Sequence, residues 1–224
     1  MSLEYEHVGT SMFIISPKYH VSAHILVSLS CCYIISSAFP DYGMTYDGQR
    51  MLQGSVIIAG MHCIVATCAR VSRVFSSRLT CVAFYAMMNA CTVGWAAMDN
   101  YLPSSYFIML TPGGFNLSTG GWLLLALAGV IIGIVLRDVY MHARAERSTL
   151  TAFWLFAWIA LASVCTAMSR TTKVIHVHHY MWAPAIALLA KYDSRTCIAA
   201  QAAALGIFNQ ELLGGNVKPF FDNI

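Results

Sequence analysis

Seven apolar stretches, each close in length to the thickness of a bilayer, govern what this chain can fold into. A helix that crosses the hydrocarbon core needs about 20 mostly apolar residues. Stretches of that kind cover residues 21–39, 51–69, 79–98, 122–140, 150–168, 174–190 and 196–213. The first ends against Pro40, which cannot continue a helix. The sixth is the shortest and contains Pro184. Composition points the same way: 58% of the chain is hydrophobic and 10% charged, where a soluble domain carries about 25% charged residues. The expected fold is all-α, a single transmembrane domain over residues 1–224 with seven, or six, membrane-spanning helices.

The basic residues support the count of seven. With seven spans, Lys18, Arg70, Arg73, Arg78, Arg137, Arg144, Arg147, Lys191 and Arg195 fall on one side, and Arg50, Arg170, Lys173 and Lys218 on the other. The positive-inside rule makes the side with nine the inner one. The N-terminus is then expected inside, in matrix or cytosol, and the C-terminus outside. The net charge of +3 gives no reason to expect nucleic acid. Residues 1–19 hold Glu4 and Glu6 with Lys18 as the only basic residue, so no cleavable targeting peptide is expected there. The eight cysteines are scattered through the apolar runs without a CxxC pair and read as small apolar residues. The loop over residues 99–121 carries no basic residue, is rich in Pro, Gly, Ser and Tyr, and is expected outside, as a functional or partner-facing loop.

Chemistry concentrates at Lys173-Val-Ile-His176-Val-His178-His179-Tyr180. Histidine is costly at membrane depth and usually faces protein, water or a ligand there. On a helix, His176 and His179 share a face and His178 points elsewhere. Glu211, in the polar run Asn209-Gln210-Glu211, belongs to the end of the last span, which returns to the same side. A set of His176, His178, His179 and Glu211 suits a transition metal such as zinc, iron or copper. It also suits a quinone or proton site. The plainer reading is a structural polar network at a helix mouth. His24 and His62 stand alone in the first two spans. Two such histidines could ligate a haem, though lone histidines in helices are more often satisfied core residues. Gly129 and Gly133 form a small-xxx-small face, and Ala199, Ala200, Ala203, Ala204 and Gly206 make the last span thin; both read as packing within the bundle.

Beyond His176-Val-His178-His179-Tyr180, the chain continues with Leu188-Leu189, Ser194-Arg195, Gln201, Gly206-Ile-Phe208 and Gly214-Gly215. Over this C-terminal stretch it resembles the end of a group of eukaryotic polytopic membrane proteins, many of which carry an LCCL domain in fungi. The resemblance implies a multi-span membrane protein and a specific role for the histidines, but no activity. The sequence departs from the family's pattern in Ala202 after Gln201, in Gly214-Gly215 near the end, and in having no LCCL domain.

No Walker loop, GxGxxG turn or serine elbow is present, and little of the chain lies outside the apolar stretches. These features favour a non-catalytic accessory subunit of a larger membrane complex, with a mitochondrial inner-membrane respiratory assembly as the leading setting. The partners expected are membrane lipid and other subunits, with no soluble small-molecule substrate. The alternatives are a metal- or haem-dependent membrane oxidoreductase using the histidine cluster, and a small transporter or channel.

Overall fold

The computed structural model describes residues 19–38, 48–69, 71–101, 109–111, 114–115, 118–146, 173–176, 179–213 and 221–223. The described chain is overwhelmingly helical. Helices α1 (His20–Ala38), α2 (Gly48–Cys68), α3 (Arg78–Tyr101), α4 (Thr119–Glu146), α5 (His179–Leu189) and α6 (Arg195–Leu213) follow in order, with a 3₁₀ turn at Val71–Ser76 between α2 and α3. The predicted span over 150–168 lies outside the described residues. Among the described residues, α3 over Arg78–Met98 and α4 are long and apolar enough to cross a membrane; α1 over His20–Ile35 and α2 over Leu52–Cys68 are shorter apolar helices.

Local chemistry fixes several boundaries. α1 stops at Ala38, two residues short of Pro40, because the position before a proline disfavours helix. Three helices start on a serine cap. Ser77 Oγ accepts the Thr80 N–H at 3.0 Å, Ser118 Oγ that of Gly121 at 3.1 Å, and Ser194 Oγ that of Cys197 at 3.0 Å. Each satisfies one of the amide donors that the first turn leaves open.

Helix is not the whole story. Among the described residues, four short strands, β1 (Met109–Thr111), β2 (Gly114–Phe115), β3 (Lys173–His176) and β4 (Phe221–Asn223), form one antiparallel sheet in the order β2-β1-β3-β4. The expected helical start at Val174 is therefore corrected: Val174 and Ile175 lie in β3, and α5 opens only at His179. Two β-branched residues in succession favour extended backbone, and β1 and β4 supply hydrogen-bonding edges on either side. What remains as α5 is 11 residues, about 16 Å at the usual rise and short of a bilayer core.

The sheet joins the loop after α3, the segment before α5 and the segment after α6 at one end of the bundle. The other end is tied by side chains. The Arg73 Nη2 donates to Ala190 O and to Gln201 Oε1 at 2.9 Å. Gln201 Nε2 in turn donates to Ala187 O at 3.0 Å and to Ala69 O at 3.5 Å. Ser194 donates to the Asp138 carboxylate of α4, and so does the Cys197 thiol at 3.3 Å. His20 at the start of α1 stacks on Phe75 of the 3₁₀ turn with ring centroids 4.8 Å apart.

Between these ends, α3 and α6 share the most extensive seam. A Cβ on Gly206 would overlap the Met88 carbonyl oxygen and come within 2.9 Å of Cys91 Cβ. The Thr92 hydroxyl lies 3.0 Å from both Met88 O and Gly206 O. The core combines apolar side chains such as Ile58, Val65, Phe84, Met88, Leu205 and Phe208 with buried His24, Ser28, His62, Thr92, Gln201 and Asn209. The outward faces are apolar: Leu26, Tyr33 and Ile34 on α1, Leu52, Val56 and Ile64 on α2, Leu79 and Val82 on α3. α4 takes this furthest, with only Gly121 and Val139 buried along its 28 residues.

Candidate functional site

Of the predicted metal set, the described residues fall in different kinds of element. His176 ends β3, where it pairs with Met109 of β1, and His179 opens α5. Because a strand and a helix start replace a continuous helix, the three-residue spacing no longer puts these two histidines on one face; that expectation is corrected. His178 lies outside the described residues. Glu211 belongs to the last turn of α6, and β3 pairs with β4 beyond that helix, so His176 and the end of α6 meet at the same end of the molecule as expected. The side chains of His176, His179 and Glu211 lie outside what the structure describes.

The structure instead brings together the residues that looked solitary. His24 from α1 and His62 from α2 are both fully buried. His62 Nδ1 is 2.9 Å from His24 Nε2, His24 Nδ1 is 2.9 Å from the Tyr85 hydroxyl on α3, and His62 Nε2 is 3.0 Å from Asn209 Oδ1 on α6. Four helices thus contribute one residue each to a continuous hydrogen-bonded line. The imidazole centroids are 4.9 Å apart, and Phe84 meets His24 edge-on at 5.9 Å, sealing the side of the line with an apolar ring.

Donor and acceptor roles follow from the end of the line. Asn209 Oδ1 can only accept, so His62 Nε2 carries a hydrogen. In a neutral imidazole the other nitrogen then accepts, so His62 Nδ1 receives the Nε2–H of His24. By the same step His24 Nδ1 receives the Tyr85 O–H. All four ring nitrogens are engaged, and the whole line is satisfied without a charge. A nitrogen that ligates haem iron must be turned to the metal, and in this arrangement each ring nitrogen of His24 and His62 is turned to a protein partner.

Spacing in the sequence carries a signal for this site. His20, His24, Ser28 and Cys32 recur every fourth residue along α1, and all are buried. A polar row at helical spacing inside an apolar stretch marks the face turned towards other protein. What the spacing cannot supply is the partner: His62 and Asn209 are 147 residues apart in the chain.

The residues that carry the family resemblance hold tight positions. Ser194 caps α6 and holds Asp138, Gln201 binds Arg73 and two carbonyls, and Gly206 admits the Met88 backbone. Comparison with protein-family models, curated proteins and solved structures finds no match.

Proposed function

We propose that the chain is a polytopic integral membrane protein that serves as a non-catalytic accessory subunit of a larger membrane complex. The observation that carries the membrane reading is an outward surface as apolar as the interior. Histidine, glutamine, asparagine, serine and threonine are buried among apolar side chains between the helices, while many further leucines, isoleucines and valines face outwards. A soluble monomer rarely exposes apolar patches of more than a few hundred Å², whereas a bilayer favours exactly such outward faces and pushes polar groups to the bundle interior.

The subunit reading rests on α4. Its outward surface includes Trp122, Leu123, Leu127, Val130, Ile131 and Ile134. Gly129 and Gly133 lie on it with open space where a side chain would be. Small residues at that spacing let a second helix approach closely, so the face offers a place for a neighbouring subunit as well as for lipid. The inner side is the end bearing Arg73, Arg137, Lys191 and Arg195, with the sheet on the outer side. The setting this reading favours is an energy-transducing assembly of the mitochondrial inner membrane, where small subunits with short loops and no catalytic motif pack around a core.

The test is a native gel of gently solubilised membranes, probed for this chain after alkaline washing. Retention in the washed membrane and migration with a large complex is the expected result. Migration near 24.6 kDa plus detergent would overturn the subunit reading, and loss in the alkaline wash would overturn the membrane one.

A further inference from the structure

We propose that Tyr85, His24, His62 and Asn209 form a two-way proton relay through the interior of the bundle. The proposal rests on the membrane reading above and adds a task to it: proton transfer along a continuous line of buried polar side chains.

The line has the connectivity a relay needs. Its three hydrogen bonds measure 2.9, 2.9 and 3.0 Å, and its members come from α1, α2, α3 and α6. Each imidazole has one nitrogen on either neighbour, so a proton accepted on one side can be matched by one released on the other. The titratable groups gathered beside the line are Cys81 of α3 and Cys31 of α1, both next to Tyr85.

A transfer balances as follows. A proton reaching the Tyr85 oxygen lets the hydroxyl give its own hydrogen to His24 Nδ1. His24 gives its Nε2–H to His62 Nδ1, and, as the Asn209 amide turns its oxygen away from His62 Nε2, that nitrogen releases its hydrogen to an oxygen acceptor of the water class. One proton enters and one leaves. Every N–H or O–H bond broken is replaced, and no electron changes hands. Both imidazoles end as the opposite tautomer.

The two ends accept that reversal. Tyr85 can donate or accept through the same oxygen. Asn209 is fully buried, and its Nδ2 has no hydrogen-bond partner among the described residues. Turning the amide over would give up only the bond from His62 to Oδ1, which the reversed tautomer no longer offers, and it would present an N–H donor to His62 Nε2 in place of the oxygen. Asn209 is in this sense a positioning residue: an amide oxygen is too weak a base to carry the proton, but the amide holds His62 in either tautomer. A buried polar group without a partner is rare enough in native structures to call for a reason, and reversal of the line supplies one.

The experiment uses the full chain in liposomes enclosing a pH-sensitive dye, with a potassium diffusion potential set by valinomycin to drive protons. Vesicles are washed at alkaline pH and floated first. The expected result is proton flux above that of protein-free vesicles, at least tenfold lower in Tyr85→Phe and in His62→Phe. Thr92→Val, which removes a buried hydroxyl off the line, should keep the flux. Tyr85→Phe preserves the ring that packs on Phe84, so loss of flux with unchanged helical content isolates the hydroxyl. Embedded protein with no flux, or equal flux in all variants, overturns the relay while leaving the membrane reading intact. Equal loss in Thr92→Val overturns it as well, by showing that any core change suffices. Protein that fails to float with the vesicles overturns both.

Discussion

Gly206 shows how much a single hydrogen decides. Its α-carbon lies where the backbone of Met88 on the neighbouring helix leaves no room for a methyl group. Gly206→Ala must push α3 and α6 apart, and overpacking of this kind costs about 1–3 kcal/mol. Thermal unfolding in detergent should show the loss. Gly129→Ala makes the same chemical change where nothing lies within 4 Å, and should leave the unfolding temperature unchanged or slightly raised through better helix propensity. Gln201 is a second such residue. It is fully buried and holds the Arg73 guanidinium with one end of its amide and two main-chain carbonyls with the other. Gln201→Leu keeps the volume but strands those partners, at about 1–3 kcal/mol for the buried groups left unsatisfied. An unfolding temperature equal to that of the parent would show that the ties at this end are redundant.

At the scale of the element, α6 and α4 make opposite use of small residues. α6 spends its glycine and alanines on close contact with α3 and α5, as the sequence leads one to expect. α4 does not: its Gly129 and Gly133 are exposed, so the reading of that pair as packing within the bundle is not what the described residues show. Substituting Leu at either position should leave the stability of the isolated chain within about 0.5 kcal/mol, as for other changes away from packed sites. On the proposed subunit reading it should nonetheless release the chain from the larger complex on a native gel. Unchanged assembly in both variants would mean that this face meets only lipid. The start of α6 is more fragile. Ser194→Ala removes both the cap and the hydroxyl that binds Asp138, and loss of the cap alone costs about 1 kcal/mol. Fraying of the first turn would appear as faster amide exchange at Thr196 and Cys197.

For the molecule as a whole, the alternation of ends is the property that matters. The sheet gathers the loop after α3, the segment before α5 and the chain beyond α6. Arg73, Gln201 and Asp138 gather the turn after α2, the C-terminal part of α4 and the turn before α6. Seven alternating spans would place those same segments on those same two sides. Single cysteines at Thr111 and at Phe221 should therefore label from one side of sealed vesicles, and at Ser76 and Asp193 from the other, in a background without the native thiols. Labelling of Thr111 and Ser76 positions from the same side would break the seven-span arrangement.

Much of this was legible in the linear chain. Apolar stretches of bilayer length specify helices whatever they pack against, because the pattern is local and each helix satisfies its own backbone. Serine before Arg78, Thr119 and Arg195 marks three helix starts for the same local reason. The tertiary structure decided what depends on distant partners. Val174 and Ile175 become strand because Leu110 of β1, from before α4, pairs with Ile175 on one side, and β4, from beyond α6, pairs with both on the other. His24 and His62 become a pair, and Asn209 their third member, only when α1, α2 and α6 are laid side by side. A hydrogen bond between side chains leaves no periodicity in sequence, so each of those histidines looked alone until the helices packed.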